Sequence, residues 1–234
     1  LGLCQIYNIE ERRLVTDSTG WAGNIGLAIA ASKFTKSVFS ATAGSHLQFK
    51  TKKDLFLLVA NYNIISANGE RFDDRTQAHF RYNRKVNKWL RMEYFFQIQT
   101  NALTKIRQRF LNGIGPRFKL SPHEKAKFYL GMAYMYEFES LLDPALIERN
   151  HRMSSYLTYT LVPSDNATFS NTTYFQPLIQ DFFDYRIAND SKLNFTITRN
   201  LRFTAIISFR FDAHPPEEIP GLSYQINNGL TYKF

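Results

Sequence analysis

The chain of 234 residues is short of several things. Its one cysteine, Cys4, excludes an internal disulfide and a cysteine-rich metal site. No run approaches the ~18 consecutive apolar residues of a spanning helix, so a helical membrane protein is excluded. Glycine (11) and proline (8) are too few for a collagen-like or low-complexity chain. Tryptophan is scarce at 2, and 20 acidic residues stand against 29 basic ones. The histidines show no metal-ligand spacing, so no metal and no cofactor is expected.

Phenylalanine (21) and tyrosine (13) are abundant, in a chain of net charge +9 and mean hydropathy −0.32. That average suits a soluble protein. It equally suits a membrane β-barrel, whose apolar residues are diluted by alternation.

Period 2 describes most of the chain. Thr76, Ala78, Phe80 and Tyr82 oppose Gln77, His79 and Arg81. Leu90, Met92, Tyr94, Phe96 and Ile98 oppose Arg91, Glu93, Gln97 and Gln99. The same pattern fills 182–197 and 201–212. About twelve strands of roughly 10 to 14 residues are expected. They run near 20–33, 36–49, 54–65, 74–83, 88–100, 106–119, 126–139, 152–163, 167–177, 182–197, 201–212 and 221–234. Turns are expected at 51–54, 83–85, 121–123, 163–166 and 198–200, and longer breaks at 66–74, 140–151 and 212–221. Short and long connections therefore tend to alternate. Residues 168–181 show no clear face, and Leu141 to Leu146 can form a short helical turn. At about 60% strand the chain is far from an ordinary globular domain.

The fold expected is an all-β, antiparallel transmembrane β-barrel of about 12 strands over 20–234, preceded by a polar N-terminal lead-in over 1–19. A soluble sandwich also alternates, so the faces decide. The polar face is rich in Arg, Gln, Asn, Thr, Gly and Ser, as a lumen would be. Aromatic residues gather at the ends of the apolar stripes, with Trp21, Phe49, Phe56, Phe118, Phe128, Phe203 and Tyr232 at one end. Phe39, Tyr62, Tyr136, Phe138, Phe183, Tyr185, Phe209 and Tyr224 mark the other. Two aromatic rings around an aliphatic band are the pattern of a membrane barrel.

The candidate lumen residues are Arg81, Arg91, Glu93, Arg107, Arg109, Arg117, Glu137, Asp184, Arg186, Arg202 and Arg210, with Arg152, Lys192, Asp190 and Asp212 beside them. A guanidinium excess would favour anions through a focused field and bidentate contacts. The competing reading is that paired arginines simply fill a narrow interior. Glu10 and Glu11 of the lead-in could dock inside as a plug. Pro116, with Gly113 and Gly115, suggests a bulge, a bend or a close inward contact.

Leu222, Tyr224, Ile226, Leu230, Tyr232 and Phe234 share one face of the last segment. An aromatic end of this form resembles the terminal signal read by the bacterial barrel-assembly machinery, with Tyr232 and Phe234 as its key residues. Leu1-Gly2-Leu3-Cys4 resembles a lipoprotein cleavage box, although Leu3 is bulky where a small residue is wanted. No catalytic residues are identified. His46 and His79 lie on the polar face, and Ser45 points away from His46. Basic residues are spread over lumen faces and turns without a stacking platform, so nucleic acid is not an expected partner. Outer-membrane lipid and glycolipid are.

Quoted in order, Asn8-Ile9-Glu10, Arg13, Gly20-Trp21, Glu93, Arg109, Asn112-Gly113-Ile114-Gly115-Pro116-Arg117, Glu137, Arg152-Met153-Ser154, Tyr174-Phe175-Gln176-Pro177, Asp184-Tyr185-Arg186, Asp212, Pro215-Pro216 and Tyr232-Lys233-Phe234 carry a family resemblance. Over about residues 8 to 234 the chain resembles the YdiY-like, salt-induced outer-membrane β-barrel family, a family of unknown function. The resemblance implies a barrel in the bacterial outer membrane and supplies no catalytic residues. Both termini are then expected in the periplasm. Two functional readings follow: a non-enzymatic, narrow, anion-leaning channel, or a structural or accessory subunit of a larger outer-membrane protein complex with a sealed lumen.

Overall fold

The computed structural model of the chain describes residues 19–123, 125–142, 146–215, 218–232 and 234. The lead-in with Cys4, Glu10 and Glu11 lies outside the described residues, as do residues 143–145 of the expected helical turn at 141–146, whose first residue, Leu141, belongs to a strand.

Twelve strands are described: β1 Gly20–Lys33, β2 Ser37–Lys50, β3 Asp54–Ala67, β4 Glu70–Lys85, β5 Leu90–Asn101, β6 Ile106–Lys119, β7 Ala126–Leu141, β8 Ile147–Ser164, β9 Ala167–Pro177, β10 Tyr185–Thr196, β11 Leu201–Asp212 and β12 Leu222–Tyr232. They pair antiparallel in sequence order as one sheet. This is the all-β, antiparallel barrel architecture expected from alternation. Its shortest strands have 11 residues. At about 3.3 Å per residue and a tilt of about 40°, that length rises roughly 28 Å, enough to cross a hydrocarbon layer.

Some expected connections differ. The long break at 66–74 is a two-residue turn, Asn68-Gly69, because β3 and β4 both run further than alternation suggested. Asn68 (φ 52°) and Gly69 (φ 84°) take the left-handed pair that a tight hairpin requires. The expected turn at 83–85 belongs to β4, and the chain turns at 86–89 instead. The break at 140–151 shrinks to 142–146. Short and long connections do not alternate along the whole chain; only the later ones, 178–184 and 213–221, are clearly long. Below, the "terminal end" of the barrel is the end where β1 starts and β12 finishes, and the "loop end" is the opposite one.

The outer face carries the two aromatic rings as cross-strand ladders. Near the terminal end Trp21, Phe49, Phe56 and Tyr82 follow one another across β1 to β4, with ring centroids 4.9, 6.2 and 4.8 Å apart. Phe128, Tyr159 and Phe169 extend the ring across β7 to β9. Toward the loop end run Phe96–Phe110–Phe138 and Phe175–Tyr185–Phe211. Between the rings the outer face is exposed and aliphatic, with Leu27, Leu58, Ile114, Met132, Leu157 and Ile226.

Curling brings non-neighbouring strands together inside. Tyr156 on β8 donates its hydroxyl to Glu93 on β5, and Arg186 on β10 reaches Glu137 on β7. Two glycines make this approach possible. A Cβ on Gly131 would stand 2.1 Å from the Tyr156 ring, and one on Gly113 2.3 Å from the Phe95 ring. At Gly115 a Cβ would lie 1.9 Å from the Met132 carbonyl oxygen. The β6–β7 register is continuous past Pro116, so the Gly-Ile-Gly-Pro segment makes close contacts and no bulge.

Candidate functional site: a packed lumen with one open side

Three layers fill the interior between β4 and β11. Nearest the terminal end, Glu93 sits between two guanidiniums, Arg117 at 3.2 Å and Arg81 at 3.5 Å. Arg117 also lies over the Tyr129 ring, 4.2 Å from its centroid. Arg81 faces the rings of Phe95 and Tyr156. Strand register explains the grouping. Arg81 pairs with Phe95, Arg91 with Arg117, and Glu93 with Gly115, so their side chains share one inward face.

The middle layer is apolar: Phe95, Leu111, Met135, Tyr156, Tyr174 and Ala188, with Ala133 against them. A cavity of about 10 Å³ remains beside it, lined by Arg81, Glu93, Gly115, Ser154 and Tyr174 among others. That is about the space one water needs.

The loop-end layer is centred on Glu137, which is fully buried. Its carboxylate accepts from Arg152 Nε at 2.8 Å, from Arg186 Nη1 at 2.6 Å and from Arg109. Arg186 also donates to Asp212 at 2.7 Å. Arg152 reaches Asp184 at 3.0 Å. Glu139 stands 3.5 Å from Arg109 and 3.7 Å from Arg186. Beside this layer Arg210 grips both oxygens of Asp190 at 2.8 Å. On β4 and β5, buried His79 bonds Gln97 at 2.9 Å, and Gln97 donates to Gln99 at 2.8 Å.

Most of the residues expected in the lumen are thus brought together. Arg81, Glu93, Arg109, Arg117, Glu137 and Arg186 all sit in the packed layers, and Arg210 lies beside them, half-buried. Arg91 shares their face, half-buried. Arg107 does not belong to them: a register shift between Ile106 and Gln108 leaves it exposed outside the packed layers. Asp184 lies in the connection before β10 and closes over Arg152 from there. Arg202 is on the inward face of β11 but exposed. Glu139, Phe95 and Tyr156 were missed, although Phe95 and Glu139 keep step with Glu93 and Glu137.

The charge balance also differs from expectation. Six guanidiniums (Arg81, Arg109, Arg117, Arg152, Arg186, Arg210) meet six carboxylates (Glu93, Glu137, Glu139, Asp184, Asp190, Asp212) in this cluster. Its net charge is zero, because each buried cation needs a counter-ion in low dielectric. Lys52, Lys53, Lys88 and Arg199 lie instead in exposed terminal-end connections.

The opposite wall is different. The inward residues of β1 are small: Ala22, Asn24, Gly26, Ala28 and Ala30. Those of β12 are Ser223, Gln225, Asn227, Gly229 and Thr231. Nothing stands within 4 Å of where a Cβ would be placed on Gly26 or Gly229. Lys192 and Arg202 face the same space from β10 and β11. On β12, Tyr232 sits on the outer face, and Phe234 beyond it is fully exposed.

Comparison with known proteins gives these findings. No curated protein matches the chain. Among solved structures it is similar to the NanC porin, at 11% identity and a TM-score of 0.47, over 90% of this chain and 98% of that one. It is similar to the KdgM porin at 11% identity and a TM-score of 0.45, over 92% and 99%. It is also similar to the translocator domain of the autotransporter NalP from Neisseria meningitidis, at 11% identity and a TM-score of 0.47, over 93% and 90%. One family, described as "Protein of unknown function, DUF481", matches residues 24–234, and the chain belongs to that family.

Proposed function

We propose that this chain is a non-enzymatic β-barrel of the bacterial outer membrane, with both termini periplasmic, that passes small solutes through a narrow lumen. The observation that carries the reading is the asymmetry of the interior. One side is packed solid by three layers. The other is walled by small or amide side chains on β1 and β12, with Lys192 and Arg202 facing it from β10 and β11. The exposed aliphatic band between two aromatic ladders supports the membrane location.

An anion preference would then rest on inward cations outside the six ion pairs, Lys192 and Arg202 among them. Planar-bilayer conductance tests this. The wild type should give a small, anion-preferring current. Gly26→Trp should reduce that current, because the wall has room there for a large side chain. Arg202→Glu should shift the reversal potential toward cations. A current that ignores both substitutions would refute the passage proposed here.

The burial of most of the layered cluster favours a second reading, a sealed accessory subunit of an outer-membrane complex. Absence of current in the wild type would select it.

A further inference from the structure

The inward faces of the two barrel ends carry different charge. At the terminal end six inward positions are basic: Lys50, Lys85, Arg91, Lys119, Lys127 and Arg202. Each is the last or the second residue of its strand, on β2, β4, β5, β6, β7 and β11 in turn. Register fixes their direction. Lys85 stands opposite Arg91, and Arg91 stands opposite buried Arg117. Lys119 stands opposite Tyr129, whose ring packs on Arg117. Other inward residues at this end, such as Ala22, Leu55, Thr160 and Thr231, are neutral.

No carboxylate faces inward at the terminal mouth among the described residues. The described acids nearby are engaged elsewhere. Asp54, on the outer face beside Tyr82, accepts from Arg84 at 2.8 Å, and Asp165 lies 3.5 Å from Lys125 in the connections. Glu93 belongs to the layer beneath, held by Arg117 and Arg81. Lys85, Lys119, Lys127 and Arg202 enter no ion pair among the described residues. The loop end differs: its inward residues include Asp73, Glu139, Glu148 and Asp212.

Like charges directly opposite on neighbouring strands repel, and a mouth lined by one sign focuses its field on an entering solute. A negative charge held between them relieves the repulsion. Ammonium groups bind oxyanions as point charges, and guanidiniums bind them through paired N–H donors. Cations arriving from several strands match several negative charges on one solute, whereas a single chloride would offset only a fraction of them. We infer that the terminal mouth is a binding vestibule for a multivalent oxyanion, a solute bearing several phosphate or carboxylate groups. The inference deepens the passage proposed above and rests on the same reading of the inward face as a solvated lumen.

The test is isothermal titration calorimetry on the full chain folded in a neutral detergent, with tripolyphosphate and citrate as probes. At low salt at least one of them should bind saturably while chloride does not, and the affinity should fall steeply as salt screens the ring. The tighter probe shows whether phosphate or carboxylate is preferred. Lys85→Gln with Lys127→Gln should weaken binding about tenfold or more, since two fixed charges are removed without breaking an ion pair. Lys33→Gln with Lys36→Gln, at the β1–β2 turn of the loop end, should leave it within about twofold. Heat-modifiable gel migration shows that each variant is folded. Absence of saturable binding by either probe at low salt would overturn the vestibule. So would a folded Lys85→Gln, Lys127→Gln variant that binds like the wild type, or an equal loss in the loop-end control. Binding without current would refute the passage and leave the vestibule standing; current without binding would do the reverse.

Discussion

Glu137→Gln is the most informative single change in the packed lumen. The side chain keeps its shape and one acceptor oxygen, so the loss is one negative charge among Arg109, Arg152 and Arg186. Two of the three contacts are 2.8 and 2.6 Å long, and the carboxylate is fully buried. Each ion pair at about 4 Å between charge centres contributes about 4 kcal/mol at an effective dielectric of about 20. Desolvation opposes this by several kcal/mol per ion, so the pairs add little net stability while complete. Removing the shared anion leaves Arg109, Arg152 and Arg186 with only their outer partners Glu139, Asp184 and Asp212, and one positive charge in excess in a dry layer. Breaking such a buried cluster costs about 3–5 kcal/mol. Glu139→Gln is the control, because its contacts are longer at 3.5 and 3.7 Å; it should lose about 1–2 kcal/mol. Equilibrium urea unfolding in lipid vesicles measures both, read by fluorescence of Trp21 and Trp89, which lie on the outside near the terminal end. If Glu137→Gln lost less than about 1 kcal/mol, or no more than Glu139→Gln, the shared-anion account would be wrong.

Two further changes probe other parts of the barrel. Gly115→Ala drives a Cβ against a backbone oxygen that cannot rotate away, whereas Gly229→Ala meets nothing; the first should cost about 1–3 kcal/mol of unfolding free energy and the second little, and equal midpoints would refute the close-approach argument. Lys105 donates to Glu218 at 2.6 Å, joining the β5–β6 and β11–β12 connections, and this hydrogen bond with its charge holds the Glu218 carboxyl below its ordinary value of 4.5. A depressed carboxyl favours the joined loops at pH above the ordinary value, and the effect is lost as pH falls through the lowered one. NMR titration of the Glu218 side chain should therefore show a midpoint below 4.5 that rises in Lys105→Gln, and a midpoint unmoved by that substitution would refute the contact.

Alternation is a local property, and it carried the strands, their inward and outward faces and the aromatic ladders. It also placed Arg81, Glu93, Arg109, Arg117, Glu137 and Arg186 on the lumen side. The tight turn at Asn68-Gly69 was read as part of a long break, although that dipeptide favours two successive left-handed residues, because the polar stretch after it disguised the start of β4. The lack of a clear face around 168–181 had a real cause: Asn171 and Thr173 stand outward where apolar residues would be usual.

What only the tertiary structure decided depends on how far the sheet curls and where its register slips. Period 2 states which side a residue faces; it is silent on which residue three strands away it meets. Glu137 finds Arg186, and Glu93 finds Tyr156, only because small residues at Gly113 and Gly131 let bulky interior rings pack close. A one-residue bulge moved Arg107 out of a set to which its position in the sequence assigned it. The chain's scarcity of acids likewise meant less inside than outside: the paired interior cluster is neutral because burial demands pairing, and unpaired basic residues such as Lys52, Lys53, Lys88 and Arg199 stand in exposed connections, where water screens them.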